Sequence, residues 1–337
     1  MRRPRPLPAE LQTGIFSREQ ALAAGLSPER LRRGDILRVG RGRYRWNGNV
    51  PGTPLGGRQW IRHQQETLHE LTPQTRTTRY PAAQLMLPGA VLSHTTAAWV
   101  RHWWLPRRFE VEPWVHLSRP PGRAATVREG VILHRVKLPS TDVTTLDDGR
   151  LVTTVERTWL DCAHLFSVDE LTILGDCLVR IPYAWAAGEA RTAPWTTLTR
   201  LRERVEGGRG VRGIGTARTA LEQIRVGADS PKETELRLAL IAGGLPEPQT
   251  QVQCWDPEYS SRFPATADLG YPQWRIAIHY EGSHHRSEEQ LHRDIRREQA
   301  FTRQGWRNLR FDQNDTAQGF GTAVRQVRAL ISAAENA

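Results

Sequence analysis

The order of sequence patterns in residues 229–337 constrains the fold of this chain more than any other feature. A helix pattern starts at Ser230-Pro231, where Ser230 can cap the helix and Pro231 can occupy its first turn. Three strand patterns, a charged helix, a fourth strand and a final helix with an apolar stripe follow it. We therefore predict the order α-β-β-β-α-β-α for this part of the chain. The predicted strands are Gln249–Trp255, Ala265–Gly270, Arg275–Glu281 and residues 305–311.

A carboxylate lies on the apolar face of the first predicted helix. At about 100° per residue, Glu233 shares a face with Leu236 and Leu240, whereas Glu235 points to solvent. A carboxylate directed toward a core is costly unless a partner or a metal ion compensates it. Glu233 is therefore a candidate site residue, and an internal salt bridge with Arg237 is the alternative.

The third predicted strand carries a second set of polar residues. Its apolar side chains alternate with polar ones, so that His279 and Glu281 share the face opposite Ile278. Gly282 ends the strand, and the pair His284-His285 follows directly. These residues are candidates for chemistry at the end of the strand.

The same region resembles the very-short-patch-repair-like (Vsr-like) endonuclease domains of the PD-(D/E)XK superfamily. The resemblance rests on the segments SPKETELRLAL, GLPEP, ADLGYP, AIHYEGSHH, HRDIRRE and GWRNLRF. It implies a metal-dependent DNA endonuclease in which acidic residues hold Mg²⁺ or Mn²⁺, which activates water and stabilises charge on the scissile phosphate. The implied metal ligands are Glu233, Asp268 and Glu281. The implied catalytic set is Glu233, Asp268, Glu281, His279, His284 and His285, with His284 or His285 near the attacking water.

One departure from the family pattern keeps two hypotheses open. Relatives place Glu-x-Asp-Gly where this chain has His279-Tyr280-Glu281-Gly282, and the lysine of the superfamily is absent. A neutral imidazole is a poor ligand for Mg²⁺ but an acceptable one for Mn²⁺, Fe²⁺ or Zn²⁺. The domain is either a working metal-dependent nuclease or a DNA-contact or structural module that retains the fold.

Positive charge is concentrated at the other end of the chain. The formal net charge is +11, of which residues 1–45 carry +7, residues 46–229 carry +5 and residues 230–337 carry −1. A basic end followed by a near-neutral end favours an N-terminal nucleic-acid contact. The alternative is a solvated arginine face.

The N-terminal motifs predict a helix-turn-helix followed by a wing. Ser17 and Gln20 have capping-box spacing, Ser27-Pro28 starts a second helix, and Gly40 and Gly42 mark a tight hairpin. The segment FSREQALAAGLSPERLRRGDILRVGRGRYRW resembles the winged-helix domain of AbiEi-type antitoxins, which implies binding to double-stranded DNA. The implied DNA contacts are Arg30, Arg32 and Arg33 on the recognition helix and Arg38, Arg41, Arg43 and Arg45 on the wing. A winged helix used for protein contacts is the alternative.

The middle of the chain resembles the second domain of the same AbiEi-like family. The matching segments are LSHTTAAW and VTTVERTWLDCA. We predict a helix from Ser93 to Leu105, a structural role for His94, and an i,i+4 ion pair between Arg157 and Asp161. The predicted domains are residues 1–50, a winged-helix DNA-binding domain, residues 51–228, an AbiEi-like middle domain, and residues 229–337, a Vsr-like endonuclease-fold domain.

These patterns together predict a multidomain α+β protein. Its parts are a winged helix-turn-helix, an α+β middle domain and an α/β restriction-endonuclease-like (PD-(D/E)XK) domain. Three cysteines without CxxC spacing exclude a disulfide scaffold and a zinc ribbon, and the absence of a signal peptide or long apolar run predicts a cytoplasmic protein with no membrane partner.

Three functions are compatible with these patterns. The first is a DNA-binding protein with a metal-dependent endonuclease domain. The second is a non-catalytic transcriptional regulator or type IV antitoxin-like protein with a degenerate nuclease fold, for which a cognate toxin is a candidate partner. The third is a protein-binding assembly factor.

Overall fold

The structure is a computed structural model that describes a defined part of the chain. The described residues are 7–8, 11, 15–32, 36–40, 43–46, 87, 89–110, 114–121, 131–181, 193–282 and 288–336. They belong to two compact units, the first from residues 1–101 and 106–154 and the second from residues 102–105 and 155–337. The second unit includes residues on both sides of residue 228, where the middle domain is predicted to end. The predicted domain boundaries stay predictions.

A small antiparallel sheet and one short helix form the N-terminal part of the first unit. The sheet has the order β1-β3-β2, and its core includes Phe16, Ala21 and Leu31. The elements are β1 (Ile15–Ser17), α1 (Arg18–Ala23), β2 (Ile36–Gly40) and β3 (Arg43–Trp46). The hairpin of β2 and β3 confirms the predicted pair of strands.

The ends of α1 follow the sequence closely, whereas the second predicted helix does not. Ser17 Oγ accepts the Gln20 N–H at 3.0 Å and Gln20 Oε1 accepts the Ser17 N–H at 2.7 Å, which confirms the capping box. Beyond Gly25, whose φ of +81° ends the helix, the described chain forms only a 3₁₀ turn at Arg30–Arg32. A recognition α-helix is therefore absent from residues 24–32.

A mixed five-stranded sheet forms the rest of the first unit. Its order is β6-β5-β4-β8-β7, with β5–β6 and β4–β8 parallel and the other pairs antiparallel. The strands are β4 (Val91–Leu92), β5 (Val115–Arg119), β6 (Val131–Arg135), β7 (Val143–Thr145) and β8 (Leu151–Thr153), and the helices are α2 (His94–Trp99) and α3 (Arg107–Glu110). The predicted continuation of α2 to Leu105 is wrong, because the helix ends at Trp99 and His102 beyond it has a left-handed φ of +57°, which the interior of an α-helix does not accommodate.

The second unit combines a helical part with a four-stranded sheet. The sheet has the order β12-β11-β10-β9, and only the β11–β12 pair is parallel. The helices are α4 (Val155–Cys162), α5 (Val168–Val179), α6 (Leu198–Glu206), α7 (Ile214–Gln223), α8 (Pro231–Ala242), α9 (Glu288–Arg303), α10 (Gln313–Ala317) and α11 (Gly321–Glu335). The strands are β9 (Gln249–Cys254), β10 (Ala265–Tyr271), β11 (Ile276–Tyr280) and β12 (Arg307–Phe311). The Arg157–Asp161 ion pair, at 2.8 Å within α4, is confirmed.

Helices cover both faces of this sheet. On one face Ile276 and Ile278 pack with residues of α8 and α11, such as Leu240 and Val327. On the other face Ala277 packs with residues of α9. The predicted order is confirmed with one addition, the short α10, which a capping box at Asp312 starts.

The described residues as a whole form a mixed α+β protein with two mixed sheets and one antiparallel sheet. None of the helices in the described part of the chain has the length and apolar character that a membrane span needs.

Candidate functional site

Glu233 lies on α8 with its side chain directed into the protein. Ser230 starts the helix, and its Oγ accepts the Glu233 N–H at 3.3 Å. Only 7% of Glu233 is exposed, and Leu236 and Leu240 on the same face are fully buried. The predicted burial of Glu233 is confirmed, and its Oε2 accepts the Asp229 N–H at 2.8 Å.

The alternative predicted for Glu233, an ion pair with Arg237, is wrong. Arg237 is fully buried, and its Nη2 lies 2.8 Å from Asp176 Oδ2 while its Nη1 lies 3.1 Å from Glu247 Oε1. Asp176 comes from α5 and therefore draws the guanidinium away from the first turn of α8. Among the neighbouring charges, that of Asp268 has the largest effect on Glu233, and that of Asp229 adds to it.

Burial first, and then the charge of Asp268, raise the pKa of Glu233 from 4.5 to about 8. The charge of Asp268, on β10, therefore acts on Glu233, on α8. The role of both residues as metal ligands stays a prediction.

Asp268 lies where β10 changes its regular alternation. Ala267 contributes to the core beneath α9, whereas Leu269, two residues later, contributes to the core beneath α8 and α11. The pairs that flank Asp268 in the β9–β10 ladder are Ala267–Val252 and Leu269–Thr250, and Gln251, between the two β9 residues, has the left-handed φ of +50°. The irregularity ends the strict two-residue period at the carboxylate, which is typical of strands that redirect a functional side chain.

The carboxylate of Asp268 has one fixed oxygen. Oδ2 accepts the Tyr280 N–H across the β10–β11 pair at 2.7 Å. Burial raises the pKa of Asp268, the charge of Arg297 opposes that rise, and Asp229 and Asp294 add to it. Asp268 is therefore surrounded by other carboxylates, and one arginine balances them in part.

His279 is buried on β11, the strand that pairs with the strand of Asp268. It is 2% exposed, its Nε2 lies 3.2 Å from Asn308 Oδ1, and its ring meets the ring of Phe301 edge-on at 5.8 Å. Among the described residues its Nδ1 has no hydrogen-bond partner. Burial, and then the charge of Arg297, lower the pKa of His279 to about 3, so the ring is neutral at ordinary pH.

Glu281 is held by a cation. It lies just beyond β11, where its N–H donates to the Phe311 carbonyl at 2.8 Å and its Oε1 lies 2.9 Å from Arg310 Nη1. The same guanidinium also pairs with Glu298 on α9. The role of Glu281 as a metal ligand stays a prediction.

Several other predicted site residues have no described side chain. His284, His285, Arg33 and Arg41 lie outside the described residues. Arg38 is on β2 and Arg43 and Arg45 are on β3, while Arg30 and Arg32 belong to the 3₁₀ turn. Their predicted contacts with DNA stay predictions.

Arg297 is the main residue near the site that sequence reasoning missed. Its charge acts on both Asp268 and His279, its Nη2 lies 3.1 Å from Asp294 Oδ1, and its buried Nε has no hydrogen-bond partner among the described residues. The only sequence signal was its i,i+3 spacing from Asp294 on a helix with many arginines. That spacing predicts an ion pair within the helix and does not indicate that Arg297 acts on Asp268 and His279.

The carboxylates of Glu233 and Asp268 are chemically suited to a divalent cation. Glu233 and Asp268 each use one oxygen for a backbone N–H, and their mutual repulsion is what a bound cation would relieve. Carboxylate oxygens suit Mg²⁺ and Mn²⁺. The unpartnered nitrogen of the neutral His279 adds a donor that Mn²⁺ accepts more readily than Mg²⁺.

No family model matches the chain, and no curated protein matches it in sequence. The resemblances to AbiEi-like and Vsr-like domains therefore stay predictions.

Proposed function

We propose that the second unit hydrolyses phosphodiester bonds of DNA with the help of Mn²⁺ or Mg²⁺. The observation that supports this proposal is the Glu233–Asp268 pair, in which each of two carboxylates from separate elements is oriented by a backbone N–H. A carboxylate pair with raised pKa values in a poorly solvated place favours a metal or acid–base site over a structural one.

In this proposal the protein's own groups bind and orient. Asp229 and Tyr280 hold one oxygen of each carboxylate through their backbone N–H groups, which leaves the other oxygen of each as a ligand. A divalent cation held by Glu233 and Asp268 would supply an activated water and neutralise charge that develops on the scissile phosphate. The neutral imidazole of His279 adds no charge to this space.

Arg297 takes the place of the missing superfamily lysine in this proposal. Its guanidinium acts electrostatically on Asp268 and keeps a buried N–H without a partner among the described residues. A phosphate oxygen is the natural acceptor for such a donor, because guanidinium groups match the geometry of phosphates. We propose that Arg297 binds the phosphate that is cleaved.

Arginines of residues 1–45 hold the DNA duplex in the same proposal. That segment carries a net charge of +7, against −1 for residues 230–337. Contacts between arginines and phosphates supply affinity without sequence information. The proposal thus separates binding by the first unit from chemistry by the second.

A second candidate, a regulator or antitoxin-like protein that binds DNA without cleaving it, rests on one observation. Arg310 holds Glu281 in an ion pair at 2.9 Å, so the third predicted carboxylate already has a cation as its partner. This candidate predicts DNA binding that falls steeply with salt and no cleavage with any metal.

Plasmid nicking separates the two candidates. Purified protein is incubated with supercoiled plasmid and EDTA, Mg²⁺ or Mn²⁺, and we expect metal-dependent nicking that is faster with Mn²⁺. Asp268→Asn and Glu233→Gln should each reduce the rate more than about 100-fold, since changes outside the ligand set of a metal site already cost 10–100-fold.

Glu235→Gln is the matched control, because Glu235 lies on the same helix and pairs with Lys232 near the surface. It should leave the nicking rate unchanged. Absence of nicking with every metal, or full activity of Asp268→Asn, would rule out the hydrolase. Filter binding of the same DNA by Asp268→Asn then shows whether the non-cleaving candidate holds.

A further inference from the structure

The arginine loop (residues 207–219) runs from the end of α6 into the first turns of α7 in the second unit. It contains Arg209, Arg212 and Arg218 but no acidic residue. All three arginines are exposed, and within the described residues none of them forms an ion pair. Their positive charge therefore compensates no carboxylate in that part of the chain.

Arginines on either side of the loop are bound to carboxylates of the same unit. Arg200 Nε on α6 lies 3.1 Å from Glu156 Oε1 on α4. Arg225 Nη2, just beyond α7, lies 2.8 Å from Glu247 Oε2. The unit thus supplies acidic partners to the arginines that flank the loop and, among the described residues, none to the arginines within it.

Successive turns hold the backbone of the arginine loop in place. The N–H groups of Gly208, Val211 and Ile214 each donate to the carbonyl three residues earlier, at 3.1, 3.2 and 3.2 Å. Gly213 has a φ of +84°, and a Cβ there would lie 2.5 Å from the backbone nitrogen of His164, so only glycine fits. The arginines are therefore carried by a backbone of defined conformation, which lowers the ordering cost of binding.

One buried carboxylate connects the end of α7 to the helix that carries Glu233. Asp176 on α5 accepts the Arg225 N–H at 2.7 Å through Oδ1 and the Thr234 hydroxyl of α8 at 2.8 Å through Oδ2. These two bonds fix α7 relative to α8. A ligand held by the arginine loop is therefore held by the same compact unit as Glu233.

The composition of the loop indicates the kind of partner. Guanidinium groups match phosphate oxygens, and contacts with a nucleic-acid backbone need cations only. A protein interface depends on aromatic or apolar anchors, and single strands stack on aromatic rings. The arginine loop has no aromatic residue, and its largest apolar side chains, Val211 and Ile214, are partly buried. The surface thus fits the regular phosphates of a duplex better than a protein or a single strand.

We propose that the arginine loop binds the phosphate backbone of duplex DNA through Arg209, Arg212 and Arg218. It adds a DNA contact to the unit that carries the proposed chemistry. The inference rests on the proposed function for its partner, duplex DNA, and not on cleavage. Because phosphate contacts carry no sequence information, the loop adds the same affinity for every duplex sequence.

The salt dependence of DNA binding tests the loop. Fluorescence anisotropy of a labelled short duplex with the full chain, in EDTA to prevent metal-dependent cleavage, gives the slope of the logarithm of the association constant against the logarithm of salt concentration. Each phosphate contact contributes about 0.9 to that slope on B-DNA, so Arg209→Gln/Arg212→Gln should reduce it by about 2. Arg209→Lys/Arg212→Lys should keep most of the slope, because lysine also neutralises a phosphate.

Arg325→Gln/Arg328→Gln is the matched control, because it removes two exposed arginines of α11 in the same unit. It should leave the slope unchanged. An equal reduction in both double-glutamine variants, or an unchanged slope in folded Arg209→Gln/Arg212→Gln, overturns the proposal.

Two further outcomes overturn it as well. The first is an original protein that does not bind the duplex, and the second is a reduction seen only with a single strand of the same sequence, which would assign the loop to unpaired nucleic acid. Plasmid nicking is read separately. Absence of nicking with every metal rules out the hydrolase, whereas the change of slope in EDTA decides on the arginine loop.

Discussion

Two charged side chains one turn apart on α8, Arg237 and Glu233, have opposite electrostatic environments. Arg237 is fully buried and contacts two carboxylates, Asp176 and Glu247. Glu233 is almost as buried, but the charge beside it is that of a second carboxylate, Asp268. Both are ionisable groups away from water, and only the first has an opposite charge beside it.

The difference distinguishes a structural charge from a candidate functional one. A buried ion pair with additional hydrogen bonds joins α8 to α5, and Asp176 accepts from Thr234 as well as from Arg237. The like charges of the buried Glu233 and the partly buried Asp268 connect no elements and raise the free energy of the ionised state. Without a bound cation, the folded state is favoured when at least one of the two carboxylates is protonated.

The largest effect should come from removing the cation of the buried ion pair between Arg237 and Asp176. Arg237→Met leaves Asp176 buried without a cation, so the free energy of unfolding should fall by about 3–5 kcal/mol. Urea unfolding followed by circular dichroism measures it. Adding Asp176→Leu to Arg237→Met should recover much of the loss, since both charges are then absent. A loss below about 1 kcal/mol in Arg237→Met would contradict this account of the pair.

A pH-dependent effect of at most similar size should come from the carboxylate pair in the presence of EDTA. The pKa of Glu233 is higher in the folded state than in the unfolded state, so its contribution to stability is fully present below about pH 4.5 and is lost as pH rises through about 8. The free energy of unfolding should fall by at most about 1.4 kcal/mol per pH unit over this window.

Glu233→Gln should remove most of that slope, because glutamine does not titrate and has nearly the same shape. Unfolding of both proteins in urea from pH 5 to pH 8 is the measurement. Parallel pH profiles for the variant and the original protein would show that Glu233 titrates as an ordinary exposed carboxylate. The comparison between Glu233 and Arg237 would then lose its basis.

The smallest effect should come from the surface of the same helix. Lys232 Nζ lies 2.5 Å from Glu235 Oε2, and both side chains are about one-third exposed. Lys232→Met should change the free energy of unfolding by less than about 0.5 kcal/mol, because exposed helix pairs are worth little. The same urea experiment checks it, and a larger loss would mean that α8 is sensitive to any change of charge.

The sequence predicted this region well where local periodicity decides the structure. The bounds of α8 and α9 and the burial of Glu233 follow from caps and from the helical repeat. The partner of Arg237 could not be predicted, because Asp176 is 61 residues away and nothing local distinguishes it from other acids. The ion pair between Arg310 and Glu281 could not be predicted either, since only the parallel pairing of β11 and β12 brings Arg310 beside β11.

The length of the predicted helices in the first unit illustrates a different limit. The capping signals at Ser17 and Ser27 are both used, yet only the first leads to an α-helix. A cap begins a helix but does not propagate it. Propagation depends on packing that a single sequence does not report.

Because β11 pairs with β12, the C-terminal sheet cannot be completed during synthesis until the segment between these two strands has been translated. β11 ends at Tyr280 and β12 begins at Arg307, so the whole of α9 must leave the ribosome before the second edge of β11 is covered. At about 5–20 residues per second this takes roughly 1–5 s. An apolar strand with an open edge can meanwhile pair with other chains. Slower translation of residues 281–306 should therefore lower the yield of folded protein, although none of the described residues in this range belongs to a strand of the sheet.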